Sequence, residues 1–449
     1  MIKFGTDGVR GVANKDLTPE DAFALGLATG YVLGNKSDGH KPNILIGKDT
    51  RISSNMLESA LIAGICSVGA IAHVAGVIPT PAIATLVKKY GYDAGVMISA
   101  SHNPVPDNGI KIFNNQGYKL DDEIEDKIIK AIYSDREIPR PTGEHVGTYF
   151  NKENIEKDYI DFLKTTIDGT SLKGIKVALD CANGATYSAA PKVFTDLGAT
   201  VHCIHNEPNG ININENCGST HMESLVEYVK SNKLDIGIAF DGDGDRCLVV
   251  DNKGNILCGD QLMSIISNYL KEQGKLEQNT LVSTVMSNIG LDQMGKKHDI
   301  NIVRTAVGDR YVLEQMLDKK YNFGGEQSGH FIFLDYTTTG DGILTGLQVL
   351  KIMADKKKSL EDINKYITMH PQVTLNAYVN RDKKDSYSEN SAIKSAVQEA
   401  TKRYDDTGRV LVRASGTESM VRVTIEGENI EDITKTANSL KELIEKELS

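Results

Sequence analysis

Three aspartates stand at alternate positions in Asp241-Gly242-Asp243-Gly244-Asp245-Arg246, with only glycine between them. Carboxylates this close disfavour one another's ionisation unless a cation sits among them. The glycines leave the backbone free to curl so that all three side chains point inward. An all-oxygen set selects a hard ion, magnesium or calcium. An EF-hand is excluded, since that loop wants glycine where Arg246 stands and glutamate where Asn252 stands. Magnesium is usually held by few carboxylates together with phosphate oxygens, so the trio calls for a phosphate. Ser101, in Ser99-Ala100-Ser101-His102-Asn103-Pro104, is the candidate to carry it. A phosphoserine brings charge and three strong acceptor oxygens. His102 and Lys111 close by suit phosphoryl transfer, where catalysis is mostly positioning and charge neutralisation. Acyl transfer lacks its signature, because no GxSxG elbow surrounds Ser101.

Two further loops have chemistry of their own. Phe323-Gly324-Gly325-Glu326-Gln327-Ser328-Gly329-His330 sets a carboxylate, a hydroxyl and an imidazole among glycines, a combination able to accept from and donate to sugar hydroxyls. In Arg413-Ala414-Ser415-Gly416-Thr417-Glu418-Ser419 a strand leaves into a turn of small residues. Its backbone N–H groups, two hydroxyls and Arg413, with Arg422 on the facing strand, make an anion nest. Read alone, each loop has an ordinary turn with solvated side chains as its competing reading.

These loops need strands to hold them. Asp93 to Ile98 is a short apolar run that breaks before Asn103-Pro104, so Ser101 falls where a buried strand spills into a loop. Residues 234–240 form a similar run ending at Asp241. Ligands of open α/β sheets bind at this carboxyl edge. A strand–helix–strand pattern recurs three times: residues 43–46, 56–68 and 71–74; 175–180, 185–197 and 200–204; 280–285, 290–297 and 300–303. Each copy leaves its second strand into a turn-rich loop, at Pro79-Thr80-Pro81, Pro208-Asn209-Gly210 and Val307-Gly308-Asp309. An early helix starts at Thr18-Pro19, where Asp21 completes a capping box only loosely. After His370-Pro371 the pattern changes to a strand, a helix, a hairpin over 409–425 and a final helix, a small α+β domain. The expected fold is therefore α/β, with three similar α/β domains and a smaller α+β C-terminal domain. The expected boundaries are 1–150, 151–254, 255–369 and 370–449, with Asn252-Lys253-Gly254-Asn255 a tight turn near the second.

Composition narrows the partners. The 449 residues are 40% hydrophobic and 25% charged, ordinary for a globular protein, and the length suggests about three domains. A net charge of −11 argues against a nucleic-acid or anionic-membrane partner, which would need a basic face. If the ligand is an anion, its cationic contacts must be few and local. No apolar run approaches the ~20 residues of a membrane span, and the opening residues lack the apolar core of a signal peptide. Six cysteines without a CxxC pair are expected to be reduced thiols in a cytoplasm.

Ser99 to Pro104, Asp241 to Arg246, Gly325 to His330 and Arg413 to Glu418, in this order, resemble the α-D-phosphohexomutase family over essentially the whole chain. The opening Phe4-Gly5-Thr6-Asp7-Gly8-Val9-Arg10-Gly11, Ser99, Asp180-Cys181-Ala182-Asn183-Gly184 and Gln327 are similar to its bacterial amino-sugar branch. The resemblance implies four domains around a cleft. It implies that Ser101 carries the transferable phosphoryl group, with one Mg2+ per subunit held by Asp241, Asp243, Asp245 and the Ser101 oxygen. Arg10, His102, Lys111, Arg246 and His330 would line the reacting end, with Lys111 or His330 as proton carrier. Glu326, Ser328 and Gly308 would meet the sugar, and Arg413, Ser415, Gly416, Thr417 and Arg422 the phosphate that is not reacting. Members of the branch convert glucosamine 6-phosphate to glucosamine 1-phosphate through glucosamine 1,6-bisphosphate, which is both intermediate and activator, and feed UDP-N-acetylglucosamine synthesis. A homodimer and a diadenylate cyclase partner are implied too. The rival readings are a mutase of the same family acting on mannose or glucose phosphate, and a catalytically silent sugar-phosphate-binding regulator.

Overall fold

In the computed structural model, residues 2–5, 7–34, 40–134, 138–405, 407–415 and 419–449 are described. They form two compact units, residues 1–285 with 303–365, and residues 286–302 with 366–449.

In the first unit, β1 (Val9–Val12) leads to α1 (Pro19–Leu33). The α1 capping box is complete: Asp21 N–H donates to the Thr18 hydroxyl, and Thr18 N–H donates to the Asp21 carboxylate at 3.0 Å. A short aspartate thus serves where glutamate is usual. Then follow β2 (Asn43–Lys48), α2 (Ile52–Ser67), β3 (Ile71–Val77), α3 (Thr80–Tyr90), β4 (Ala94–Ile98), β5 (Asp107–Asn114), α4 (Asp122–Tyr133) and β6 (Tyr149–Asn151). The sheet order is β1-β5-β4-β2-β3-β6. Its β4, β2, β3 and β6 run parallel, whereas β5 is antiparallel to both β1 and β4. All five β4 residues are buried, as an apolar run covered on both faces should be.

The second sheet contains β7 (Lys176–Asp180), β8 (Thr200–Ile204), β9 (Ile236–Phe240), β10 (Cys247–Asp251) and β11 (Ile256–Leu257), ordered β11-β10-β9-β7-β8. Around it lie α5 (Ile155–Thr165), α6 (Ala189–Asp196), α7 (Glu223–Asn232) and α8 (Gly259–Glu272). The turn at Asn252-Lys253-Gly254-Asn255 closes the β10–β11 hairpin, with Gly254 at φ +88, so it lies inside this sheet. Next come β12 (Thr280–Thr284), α9 (Ile289–His298), β13 (Asn301–Thr305), α10 (Asp309–Lys319), β14 (Phe323–Gly325), β15 (Phe331–Phe333), α11 (Gly342–Lys356) and α12 (Leu360–Ile363). β12 pairs in parallel with β14, and β14 and β15 form a hairpin. Every residue of α11 from Gly342 to Met353 is buried, the mark of a helix enclosed on all sides.

The second unit holds α9 together with β16 (Gln372–Tyr378), α13 (Ser391–Tyr404), β17 (Arg409–Ala414), β18 (Met420–Glu426) and α14 (Ile430–Leu448). Its antiparallel sheet is ordered β16-β18-β17. Val421, Val423 and Ile425 pack with Ile433, Leu440 and Ile444 of α14 to form its core. The six cysteines are all free thiols.

Candidate active site

Ser101 sits three residues beyond β4 in the left-handed region, φ +54, and is 1% exposed. A non-glycine residue there is held by its surroundings rather than by its own preference. Its N–H donates to Ser99 Oγ at 2.9 Å, and Ser99 in turn donates to Asp49 at 2.6 Å. Its carbonyl accepts from Arg51 at 3.0 Å and from Asn214 at 2.8 Å. Arg51 is fully buried and also donates to the carbonyls of Asn103, Pro104 and Asp107, while its Nε meets Asp49 at 2.9 Å. One guanidinium therefore stitches the whole loop. The sequence pattern does not single out Arg51; its sole local signal is Asp49 two residues before it.

The Ser101 hydroxyl donates to Asp241 Oδ2 at 2.5 Å, bringing the two sequence motifs together. Asp241 follows β9 directly, and ligand oxygens of Asp241, Asp243 and Asp245 lie within 4.8 Å of one another. The approach is tight: a Cβ on Gly242 would stand 2.6 Å from the Ser101 carbonyl oxygen. Asp243 Oδ2 accepts from Thr80 at 2.6 Å and from Lys111 at 2.7 Å. The Oδ1 atoms of Asp243 and Asp245 are buried without a hydrogen-bond partner. Burial, with Asp245 and Asp243 beside it, pushes the Asp241 carboxyl well above the usual range. Buried oxygens without donors and a carboxyl unable to ionise beside its neighbours fit a hard divalent cation.

Cations balance this acid cluster. Burial opposes the charge on Lys111, but Asp243, Asp7 and Asp245 overcome it and hold the ammonium well above its ordinary pKa. Lys111 lies 3.0 Å from Asp7 and 3.3 Å from Asp245, so it is a fixed positive charge. Asp7 also pairs with Arg10 and Lys119, and Lys119 reaches Asp309 at the start of α10 at 2.6 Å. His102 Nδ1 stands 3.3 Å from Ser101 Oγ. Burial, then Arg246 and Arg10, bring its pKa down to about 4, so the ring is neutral at neutral pH. The Nε groups of Arg10 and Arg246 are buried donors with no acceptor, as expected of guanidiniums awaiting an anion.

The β14–β15 turn is anchored beside these groups. Arg246 and His330 form a β-bridge, and Cys247 N–H donates to the Gly329 carbonyl at 2.9 Å. The His330 Nδ1 is 3.7 Å from Asp245, while its Nε2 accepts from Gly340 N–H at 3.1 Å. Nε2 also stands 3.4 Å from Asp309, and although burial opposes it, Asp245 and Asp309 raise the imidazole pKa above its ordinary value. Glu326 Oε1 accepts from Gly308 N–H at 3.2 Å; Gly308 has φ +128, which only glycine adopts comfortably. Burial raises the Glu326 carboxyl, and His330 partly offsets this. Ser328 lies in the same turn, half-buried. Sequence reasoning missed Asp7, Lys119, Asp309, Asp49, Arg51, Thr80 and Asn214, most of whose partners lie far along the chain.

In the second unit Arg413 and Arg422 are direct cross-strand partners on β17 and β18. Burial and the charge of Arg422 lower the Arg413 pKa, and Arg413 Nε is a buried donor without an acceptor. Ser415 is buried, with its N–H bonded to the Met420 carbonyl. Gly416, Thr417 and Glu418 lie outside the described residues.

The phosphoglucomutase/phosphomannomutase family matches in four consecutive segments. Its alpha/beta/alpha domains I, II and III match residues 1–138, 157–254 and 258–369, and its C-terminal domain matches residues 375–443. A phosphoglucosamine mutase of Clostridium beijerinckii is 57% identical over 444 residues, 99% of this chain and 98% of that protein. A phosphoglucomutase/phosphomannomutase family protein of Burkholderia thailandensis has the same fold, with TM-score 0.81 at 22% identity, covering 99% of this chain and 98% of that one. The N-acetylphosphoglucosamine mutase of Aspergillus fumigatus, solved with GlcNAc-6P and magnesium, gives TM-score 0.73 at 18% identity, covering 100% of this chain and 96% of that one. Matched in this way along almost its whole length, the chain belongs to the phosphoglucomutase/phosphomannomutase family.

Proposed function

We propose that this chain is a phosphoglucosamine mutase, interconverting glucosamine 6-phosphate and glucosamine 1-phosphate through a phosphoserine at position 101. The observation that carries the chemistry is the Ser101 hydroxyl 2.5 Å from the first of three clustered, buried carboxylates. The sugar rests on the identity shared with the Clostridium enzyme.

In the first half-reaction the bond from Ser101 Oγ to phosphorus breaks as a sugar hydroxyl bonds to that phosphorus; the hydroxyl proton passes to a protein base, and Ser101 Oγ takes up a proton to become a hydroxyl. The product is the 1,6-bisphosphate. It turns round, and its other phosphoryl group passes to Ser101 Oγ, leaving the isomeric monophosphate. Mg2+, held by Asp241, Asp243, Asp245 and the Ser101 oxygen, would neutralise charge on the phosphoryl oxygens. Lys111 adds a permanent positive charge, while Arg10 and Arg246 present free guanidinium N–H groups. Of the candidate proton carriers, His330 fits better than Lys111, whose proton three carboxylates hold in place. His102, neutral beside Ser101 Oγ, orients that oxygen. Glu326, Ser328 and the Gly308 backbone would meet sugar hydroxyls, which suits a ligand bound in two orientations. Arg413, Ser415, Gly416, Thr417 and Arg422 would hold the phosphate that is not reacting. A homodimer, a diadenylate cyclase partner, a cytoplasmic setting, activation by the bisphosphate and supply of UDP-N-acetylglucosamine belong to the same reading.

The test is kcat/KM for glucosamine, glucose and mannose 6-phosphates. Hydroxyl contacts common to several hexoses discriminate imperfectly, so glucosamine phosphate should lead with measurable activity on glucose phosphate. If glucose or mannose phosphate leads, the family stands and the amino-sugar reading falls. No turnover of any of the three would favour the silent regulator.

A further inference from the structure

Beneath the Ser101 loop, outside the constellation just described, three side chains with three kinds of donor atom converge. Asp180 ends β7, His205 follows β8, and Cys217 lies in the loop between β8 and α7. Their oxygen, nitrogen and sulfur lie within 4.8 Å of one another. Asp180 and Cys217 are fully buried, while the His205 side chain is 28% exposed, which leaves a route from solvent.

The ordinary explanation is a structural Asp–His pair beside a buried thiol. It accounts poorly for the geometry. The Asp180 carboxylate is already satisfied by the N–H groups of Ala182 at 2.9 Å and Gly218 at 3.0 Å. His205 Nδ1 nevertheless approaches Asp180 Oδ2 to 3.1 Å as an ion pair, off the line of a well-directed hydrogen bond. Two ligands bound tetrahedrally to one ion at about 2.0 Å stand about 3.3 Å apart, close to this separation. Backbone N–H groups that fix a carboxylate are also the usual outer support of a metal ligand.

We propose that Asp180 Oδ2, His205 Nδ1 and Cys217 Sγ form a second cation site, for a borderline transition metal such as zinc. Mixed oxygen, nitrogen and sulfur donors suit such an ion and not magnesium. Water reaching past His205 completes the tetrahedron, and binding releases the Cys217 thiol proton. The ion joins three loops that already support the catalytic one. Asn183 N–H donates to the His205 carbonyl at 2.6 Å, and Asn214 N–H to the Ala182 carbonyl at 2.9 Å. Asn214, three residues before Cys217, donates its side-chain amide to the carbonyls of Ser101 at 2.8 Å and Asn103 at 3.1 Å. The cation would therefore brace Asn214, and through it the Ser101 loop, without touching substrate.

Cobalt(II) added to the metal-stripped full-length protein, with excess Mg2+ present to occupy the aspartate trio, tests this directly. Thiolate ligation gives a sulfur-to-cobalt charge-transfer band in the near ultraviolet, which carboxylates cannot produce. The expected result is a saturable, stoichiometric band, absent in Cys217→Ser. In His205→Gln the cobalt affinity should fall by about tenfold or more. No band in the parent protein, or an equal band in Cys217→Ser, would overturn the proposal. Should Cys217→Ser not fold, an unchanged cobalt affinity in His205→Gln would overturn it alone.

Discussion

Asp243 is bonded through one oxygen only: Oδ2 takes Thr80 and Lys111, and Oδ1 has no donor. Asp243→Asn keeps the volume and removes the charge. Mg2+ affinity should fall about tenfold or more, and kcat further, when titrated with Mg2+ under steady-state assay. The parent enzyme should lose activity to a strong chelator; full activity there would remove the metal from the mechanism. Ser101→Ala should abolish turnover and leave a folded protein. It costs about 1–2 kcal/mol of stability, because Asp241 loses a buried donor. Intact-mass analysis should show a phosphoryl adduct on the parent and none on the variant. Ser101, the three aspartates and Glu326 were legible because their chemistry is written in neighbouring residues. Arg51 was not, because its acceptors are backbone carbonyls some fifty residues away.

At the scale of elements, the site is made of strand exits. The ends of β4 and β9 bring Ser101 and Asp241 together, and close approach is possible because Gly242 has no side chain. Arg51 holds the first of these exits in shape. Arg51→Ala leaves Asp49 buried without its cation and several carbonyls without donors, which costs about 3–5 kcal/mol. Thermal denaturation should report that loss, and kcat should drop more than KM rises. Lysine should not restore it, since no ammonium reproduces the planar fork that reaches separate carbonyls. The three repeated strand–helix–strand units and the C-terminal hairpin were readable from apolar runs and turn residues. α10 was not, because only Val312 and Met316 of its residues are buried and they leave too thin a stripe. The α6 region also begins later than its pattern suggested, at Ala189, because residues 184–188 wind through turns to meet Gly242.

For the whole molecule, a net charge of −11 is consistent with binding a small anion because Lys111, Arg10 and Arg246 stand beside the Ser101 loop. In the second unit Arg413 and Arg422 are directly opposed cross-strand neighbours of like charge. Arg422→Ala should mainly raise KM for the sugar phosphate, as expected for a grip shared by ground and transition states. A smaller fall in kcat should follow from looser orientation. An unchanged KM would place the phosphate grip elsewhere. The hairpin itself and the facing of Arg413 and Arg422 were legible in the sequence, while the anion nest built on them remains part of the proposed function. The Asp7–Lys119–Asp309 chain was not, since it joins the start of the sequence, the end of the first sheet and the start of α10.

The hydrogen bond from Ser101 to Asp241 makes the covalent state of the serine and the loading of the cation answer to each other. As a hydroxyl, Ser101 offers a proton and quiets one member of the acidic trio. As a phosphate ester it has no proton on that oxygen and adds a charge of about −1.5 to −2 to the same crowded space. The dephosphorylated form can therefore tolerate a cation-poor site, while the phosphorylated form demands a full one. Such a linkage is reciprocal at equilibrium: whatever phosphorylation adds to cation affinity, the bound cation adds to the thermodynamic stability of the phosphoserine. On the proposed reaction, losing the phosphoryl group would also loosen the metal, so the two states of the site rise and fall together.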